Sequence, residues 1–398
     1  MSQGISSVDL DARAAALEAA RRAKMARSAH AFVRGNTADH YRWMAELGIS
    51  LPEGPPVWIC GDCHIGNLGP LADADGRIDI QIRDLDQTVI GNPAHDLVRL
   101  SLSLASAARG SDLPGMTTAR MLHEVMRGYE AGVAELDDPA RQPEEPNVVA
   151  LVRREAIGRK WRHLARERLT DVKPSIPLGS KFWALSDDER WNIGLLLDTP
   201  HVKRFILSLS AKSTQVELVD SAYWMKGCSS LGLLRYAALV HVSGDRRSKL
   251  SLIDIKEAVP SVAPASGGVM PAQAGERVVA GARALAPNLG ERMAAGELLG
   301  KPVFVRELLP ADLKLEIEQF SRAEAIKAAR YLSSVVGKAH GRQMAPDDRA
   351  AWITSLQKAS ATRAGQPSWL WTAVVALLIK HEEAYLEHCR AAAALDAV

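Results

Sequence analysis

The stretch that decides the fold is Gly61-Asp62-Cys63-His64-Ile65-Gly66-Asn67, followed by Asp84-Leu85-Asp86. It places an amide five positions after an acid, with a second acid further along the chain. Phosphoryl transfer on Mg·ATP uses this order, because the first Asp accepts the proton of the acceptor hydroxyl while the Asn and the later Asp hold Mg²⁺. We therefore predict that Asp62, Asn67 and Asp84 are catalytic and that Asn67 and Asp84 bind the metal.

Both motifs follow predicted strands. Residues 57–60 are apolar and are expected to form a short buried strand, and Ile78, Ile80 and Ile82 alternate as strand residues do. Taken singly, Asp62 and Asn67 also fit ordinary turns, because Asp, Asn and Gly favour turn conformations. Their combination with an acid at a strand end and with the downstream elements favours a functional site.

Composition excludes several classes of protein. The 398 residues are 47% hydrophobic, enough for a large core that we expect to be divided into two lobes. Lys and Arg total 49 against 47 for Asp and Glu, so no global basic field indicates a nucleic acid or an anionic membrane as partner. We found no signal pattern, no apolar run of about 20 residues and too few cysteines for a disulfide framework. A cytoplasmic protein without a membrane span is expected.

The middle of the chain predicts a small antiparallel sheet. Two apolar runs, 231–242 and 250–255, are joined by Gly244-Asp245, which is a hairpin signal. A helix over 276–285 and a strand over 303–305 follow. Ahead of the first run lies a loop of small residues, whose main-chain N–H groups can approach phosphates closely. The loop residues assigned to phosphate binding are Gly227, Ser229, Ser230 and Gly232.

Four residues complete the predicted nucleotide site. Lys256 ends the second apolar run and is predicted to contact the α and β phosphates. A buried ammonium group needs a partner, and Glu276 on the following helix is the candidate. Glu307 and Leu308 follow the next strand, where their backbone is expected to pair with adenine.

The order of these motifs is reversed from that of ordinary kinases. The loop with Asp62 precedes the glycine-containing loop by roughly 160 residues, which a circular permutation explains. We predict an α+β, two-lobed, protein-kinase-like fold with a mostly helical large lobe and a small antiparallel-sheet lobe. Residues 1–212 would form the first part of the large lobe, 213–309 the small nucleotide-binding lobe, and 310–398 the completing helices.

These motifs resemble the bacterial domain-of-unknown-function family 2252 over most of the chain. The matching stretches are Lys24-Met25-Ala26, Phe32-Val33-Arg34-Gly35, residues 60–67, Asp84-Leu85-Asp86 and Lys256-Glu257-Ala258. That family is similar to the aminoglycoside phosphotransferase and choline kinase group in its Gly-Asp-x-His-x-x-Asn loop. The resemblance implies ATP and Mg²⁺ as cofactors and a hydroxyl-bearing acceptor. The position two before the catalytic acid, commonly His in the group, is Cys60.

The resemblance extends to Gly91-Asn92-Pro93-Ala94-His95-Asp96-Leu97 and assigns supporting roles. It implies that Asp96 anchors the catalytic loop rather than reacting. His64 is expected to brace the same loop. Asp86 is either a second metal contact or a solvated turn residue, and Arg34 either binds an anion or braces a helix.

The predicted function is transfer of the γ-phosphate of Mg·ATP to a hydroxyl group of an unidentified small molecule or protein. A nucleotide-binding pseudokinase without turnover is one alternative, because it would share the same pocket. A metallophosphoesterase with Asp62 and His64 as metal ligands is another, although the later histidine blocks of that class are missing. The Cys60-x-x-Cys63 pair also fits a redox or zinc site, which would need two further ligands.

Overall fold

The computed structural model describes residues 10–73, 75–111, 113–134, 136, 143–158, 175–210, 212–228, 231–244, 248–309, 321–361 and 368–396. Within these segments it contains thirteen helices and ten strands in antiparallel pairs, which confirms the predicted α+β class. Ser229 and Ser230, both predicted to contact phosphates, lie outside the described residues.

The first part of the chain forms helices around two small two-stranded sheets. The helices are α1 (Leu10–Ala26), α2 (Ala29–Gly35), α3 (Thr37–Glu46), α4 (Ala94–Gly110), α5 (Gly115–Ala134) and α6 (Asn147–Gly158). The strands are β1 (Val57–Ile59), β2 (Leu68–Ala72), β3 (Ile78–Ile82) and β4 (Val89–Gly91), with a 3₁₀ turn at Ile65–Asn67 before β2. β1 pairs with β4, and β2 pairs with β3. The two strands predicted ahead of the acidic motifs are therefore confirmed.

The middle part forms one six-stranded antiparallel sheet in the order β5-β6-β7-β8-β10-β9. Its strands are β5 (Phe182–Trp183), β6 (Ser213–Trp224), β7 (Arg235–Gly244), β8 (Ser248–Glu257), β9 (Met293–Leu298) and β10 (Lys301–Leu308). Helices α7 (Asp187–Asp198) and α8 (Pro200–Ser208) precede β6, while α9 (Ala274–Leu285) and α10 (Pro287–Gly290) connect β8 to β9. The predicted hairpin is confirmed as β7 paired with β8, whereas β6 and β9 were not predicted.

The two faces of this sheet differ in chemistry. Ile253, Ile255, Val303 and Val305 are fully buried in a cluster with apolar residues of α7 and α8. Because side chains alternate along a strand, Asp254 and Lys256 lie on the opposite face. That face turns toward the helical part of the molecule, where Lys256 meets the loop that follows β3.

The last part of the chain consists of α11 (Arg322–Gly341), α12 (Pro346–Ser360) and α13 (Trp369–Asp396). Helix α11 packs closely on α5 through glycines. A Cβ atom at Gly128 would lie 1.9 Å from the carbonyl oxygen of Arg330, and one at Gly132 would lie 2.2 Å from that of Ser334. Helices from both ends of the sequence therefore share one core.

Candidate functional site

The loop of residues 60–67 leaves β1 through a backbone turn that requires glycine. Gly61 has a φ of +73°, and a Cβ there would lie 2.1 Å from the carbonyl oxygen of Gln87. The loop is fastened by Asp96, whose carboxylate accepts hydrogen bonds from the backbone N–H groups of Cys60 (2.7 Å) and Gly61 (2.9 Å). Asp96 is fully buried, so these charge-assisted bonds hold the loop firmly.

Helix α11 supports this anchor from the other end of the sequence. His340 Nε2 lies 3.2 Å from Asp96 Oδ2, and His340 Nδ1 lies 2.9 Å from the hydroxyl of Tyr129. Trp352 Nε1 donates a hydrogen bond to the same hydroxyl. The structure thus brings a buried histidine to the loop from α11, although the loop itself carries Cys60 where the resemblance suggests His.

Asp62 is held by an arginine that the sequence did not single out. Arg99 Nε donates a 2.8 Å hydrogen bond to Asp62 Oδ1, and Arg99 is fully buried in α4. Burial raises the pKa of Asp62, and the charge of Arg99 opposes that rise without cancelling it. Asp62 is 7% exposed, so the predicted proton acceptor is nearly buried. A charged residue inside an apolar helix is a signal that could have identified Arg99.

His64 lies beside Asp62, with Nε2 3.9 Å from Asp62 Oδ2. Burial and the charges of Arg34 and Arg99 lower the pKa of His64 well below its usual value, so the ring is neutral at neutral pH. Asn67 donates from Nδ2 to the carbonyl oxygen of Asp62 at 2.9 Å. This bond closes the loop on itself and fixes the orientation of the Asn67 side chain.

The two distant motifs meet at Lys256. Its Nζ lies 3.5 Å from Asp84 Oδ1 and also donates a close hydrogen bond to Asp86 Oδ2. The predicted pair with Glu276 is wrong, because Glu276 is exposed and the ammonium group is held by the two aspartates. Arg277, the next residue on α9, faces inward instead and donates to the backbone oxygen of Asp86 at 2.8 Å.

The aspartate pair forms a site suited to a cation. Although burial opposes ionisation of Asp84, Lys256 and Arg306 hold its pKa below the usual range. Burial and the negative charge of Asp84 raise the pKa of Asp86. Asp86 Oδ1 is buried without a hydrogen-bond partner in the described part of the chain. A hard divalent cation would satisfy this oxygen and relieve the repulsion, so the residues fit Mg²⁺.

The glycine-containing loop between β6 and β7 is described only in part. Gly227 and Gly232 have φ values of +97° and +99°, which side chains rarely tolerate. Lys24 of α1 donates a 3.1 Å hydrogen bond to the carbonyl oxygen of Gly227. The first helix thus reaches across the cleft to one edge of this loop.

The predicted adenine contact at Glu307 is not available as expected. Glu307 and Leu308 belong to β10, and the N–H group of Glu307 already donates to the carbonyl oxygen of Arg292. The Glu307 carboxylate accepts from Lys249 at 2.7 Å and from Ser251 at 3.1 Å. The prediction that the backbone of Glu307 pairs with adenine was therefore wrong for its N–H group.

Next to Lys256, the sheet carries a buried charged triad that was also missed. Asp254 is fully buried and accepts hydrogen bonds from Arg235 (2.7 Å) and Arg306 (2.9 Å). Although burial opposes ionisation, these two guanidinium groups hold the pKa of Asp254 below its usual range. The triad gives this face of the sheet a net positive charge.

A cleft of about 1330 Å³ separates this face from the helices. Its lining includes four predicted site residues, namely His64, Asn67, Asp84 and Gly227. Lys256 and Asp62 are buried, Asp86 is half-buried, and these three residues and the exposed Glu276 are not part of the lining. The cleft also takes residues from α1, α2 and α13, among them Arg34, for which anion binding was one of the two expected roles.

Comparison with known proteins identifies a family. The family described as "Uncharacterized protein conserved in bacteria (DUF2252)" matches residues 13–391. No curated protein and no solved structure matches the chain. Among the described residues, no helix has the length and apolar character needed to cross a membrane. In the same residues, no three His, Cys, Asp or Glu side chains are grouped to hold a metal ion, and no disulfide joins any of Cys60, Cys63, Cys228 and Cys389.

Proposed function

This chain belongs to the DUF2252 family, and we propose that it is an ATP-dependent phosphotransferase with a circularly permuted, protein-kinase-like fold. In this proposal Mg·ATP binds in the cleft and its γ-phosphate passes to a hydroxyl group of a small molecule or protein. The helical segments at the two ends of the chain would form one lobe, and the six-stranded sheet would belong to the other.

The observation that carries the proposal is the contact of Lys256 with Asp84 and Asp86. In protein kinases the phosphate-binding lysine lies on the third strand, after a glycine-rich loop, and a metal-binding Asp approaches from the other lobe. Here β6 and β7 flank the glycine-containing loop, and Lys256 lies on β8, the next strand. Lys256 on the sheet and Asp84 on the loop after β3 are far apart in the sequence and come into contact only in the folded protein. This contact supports a nucleotide site.

Each residue has a stated task in the proposal. Mg²⁺, when bound, would neutralise charge on the phosphates. Asn67, Asp84 and Oδ1 of Asp86 would hold the metal, and Oδ2 of Asp86 would orient Lys256 as the acidic partner that Glu276 was expected to be. Arg99 keeps the Asp62 carboxylate in position, and Asp62 would accept the proton of the acceptor hydroxyl.

The surroundings of Asp62 favour this function over a metallophosphoesterase. In that class Asp62 and His64 would be metal ligands, yet Arg99 Nε lies 2.8 Å from Asp62 Oδ1. A dinuclear centre also needs several protein ligands, and in the described part of the chain no three His, Cys, Asp or Glu side chains are grouped to hold a metal ion. A pseudokinase would share the nucleotide contacts, so binding and turnover have to be measured separately.

The test is ATP turnover and Mg·ATP binding of the wild-type protein beside the Asp62→Asn variant. Asn keeps an oxygen that accepts from Arg99, so we expect binding to change little and turnover to fall about 10²- to 10⁴-fold. Asp75→Asn, on an exposed turn, is the control and should match the wild type. Equal turnover in the Asp62→Asn variant would refute the catalytic assignment, and wild-type binding without any turnover would establish the pseudokinase.

A further inference from the structure

Arg34 of α2 lies directly on the 60–67 loop. The Arg34 guanidinium group packs against Gly66, where a Cβ atom would be only 2.9 Å from Cζ and 3.0 Å from Nε. Gly66 therefore leaves the space that Arg34 occupies. No hydrogen bond or ion pair joins Arg34 to another residue in the described segments, although it is half-buried. A guanidinium group in such a place favours an oxyanion ligand, which it can bind through two N–H groups.

Two neighbouring histidines also present unpaired nitrogens. His30 lies one turn before Arg34 on α2, and Nδ1 of both His30 and His64 is buried without a hydrogen-bond partner among the described residues. Both rings line the cleft together with Arg34. Burial and the charge of Arg34 lower the pKa of His30 to about 4. The two rings are thus neutral at neutral pH, and Arg34 supplies the charge of the group.

The whole cleft has an excess of cations. Of the Lys and Arg side chains in the described residues, nine line it: Lys24, Arg27, Arg34, Arg83, Arg109, Lys181, Lys226, Arg235 and Arg306. Its described acids are Asp84 and Glu382, and Glu382 already pairs with Arg109 at 2.6 Å. Low-dielectric walls focus such a field, so the cleft attracts anions and repels cations.

The cleft is large enough for more than a nucleotide. Its volume of about 1330 Å³ exceeds the roughly 300–1,000 Å³ of common small-molecule pockets. Asp84 and Gly227 line it together with Arg34 and His30 of α2. Arg34 packs against Gly66, between His64 and Asn67 in the 60–67 loop. The Arg34 group is therefore next to the loop predicted to act on the acceptor.

We propose that Arg34, with His30 and His64, forms an anion-binding subsite that holds a phosphate or carboxylate group of the acceptor. This inference rests on the proposed function, because it identifies the acceptor as an anionic hydroxy compound. A polycationic acceptor such as an aminoglycoside is rejected by the same charges. Arg34 is a binding residue in this assignment and takes no part in proton transfer.

The experiment is a calorimetric titration of inorganic phosphate, and separately of acetate, into the protein with and without a saturating Mg²⁺ complex of a non-hydrolysable ATP analogue. Wild-type protein should bind at least one of the two anions in the presence of the analogue, and the stronger of them identifies the group on the acceptor. Arg34→Gln should weaken this binding at least about tenfold without changing the affinity for the analogue. Arg34→Lys keeps the positive charge but loses the planar guanidinium group. Its affinity for the anion should lie between those of the wild type and Arg34→Gln.

Arg42→Gln, at an exposed arginine on α3, is the matched control and should leave anion binding unchanged. Absence of anion binding to the wild type, or equal binding by the Arg34→Gln variant, would overturn the subsite. Weaker binding of the analogue by Arg34→Gln would also overturn it, because Arg34 would then serve the nucleotide. If the analogue fails to bind but anion binding depends on Arg34, the subsite stands and the proposed function fails.

Discussion

Lys256 Nζ lies 3.5 Å from Asp84 Oδ1, although 172 positions of the sequence separate the two residues. The lysine comes from the middle of the antiparallel sheet, and the aspartate follows the β2–β3 hairpin. Arg277 strengthens the same junction by donating to the backbone oxygens of Asp86 and Val259. The site therefore exists only when the sheet and the helical part are packed together.

The aspartate pair predicts that metal binding releases protons. Burial and the charge of Asp84 raise the pKa of Asp86, so part of the protein carries a proton there at about pH 6, and Mg²⁺ must displace it. Calorimetry of Mg²⁺ with the ATP analogue in buffers of different ionisation enthalpy should show proton release and an affinity that rises with pH. Asp86→Asn should abolish the release, whereas Asp79→Asn at an exposed position should not. Wild-type binding without proton release would contradict this assignment.

The anchor of the 60–67 loop predicts a large loss of stability on substitution of Asp96. In Asp96→Asn one of the two backbone N–H groups, of Cys60 or Gly61, faces an amide donor, so the free energy of unfolding should fall by about 3 kcal/mol. Asp73 also accepts from two backbone N–H groups but on an exposed turn. Asp73→Asn should therefore cost less than about 1 kcal/mol. Urea denaturation of both variants checks the difference, and equal losses would argue against the buried anchor.

The close packing of α5 on α11 predicts that even a methyl group is not tolerated. Gly128→Ala would place Cβ 1.9 Å from the carbonyl oxygen of Arg330, so we expect a loss of about 2–3 kcal/mol in the free energy of unfolding. Gly194→Ala in α7 meets no atom within 4 Å and should stabilise the protein by up to about 1 kcal/mol. Thermal unfolding of the two variants measures both effects. Similar changes in both would mean that the two helices do not pack as described.

The buried histidines predict a loss of stability at low pH. His381 is 2% exposed, and burial followed by the charge of Arg99 lowers its pKa well below the usual value. The unfolded chain protonates this ring below about pH 6.5 while the native state does not. The full free energy of unfolding is therefore present above about pH 6.5. Below that pH it falls by up to about 1.4 kcal/mol per pH unit for each such ring.

His381→Leu should flatten this pH dependence, because the variant has no ring to protonate in the unfolded state. His123→Leu, at an exposed position on α5, should leave the slope unchanged. The check is a series of urea denaturation curves between about pH 4.5 and about pH 7.5, the range in which unfolded histidine titrates. An unchanged slope in His381→Leu would contradict the neutral, buried ring.

Local sequence patterns predicted most elements that position the site. Alternating isoleucines predicted β3, and apolar runs predicted β7 and β8. A strand that buries one or both faces has a regular pattern of apolar residues in its sequence. β6 left a weaker trace, since its first residues, such as Thr214 and Gln215, are exposed and polar. The β6 strand is recognised only from its pairing with β7, which is not a local property of the sequence.

The site residues could be predicted only where a motif fixed their spacing. The spacing of the motifs was enough to propose Asp62, Asn67 and Asp84, but the partner of Lys256 depended on the rotation of α9. A difference of one residue turns a helix by about 100°, so Arg277 faces inward and Glu276 does not. The charge of Arg99 inside an apolar helix is a local signal, but its contact with Asp62, and that of Arg34 with Gly66, join segments distant in the sequence.

In the proposed function, Lys256, Asp84 and Asn67 hold a magnesium–nucleotide complex. The most direct measurement is the calorimetric titration of a non-hydrolysable ATP analogue, with and without Mg²⁺, into the wild type, Asp84→Ala and the exposed control Asp75→Ala. The proposal predicts Mg²⁺-dependent binding by the wild type and the control, weakened at least about tenfold in Asp84→Ala. An affinity of Asp84→Ala for the Mg²⁺ complex equal to that of the wild type, or no binding by the wild type, would contradict it.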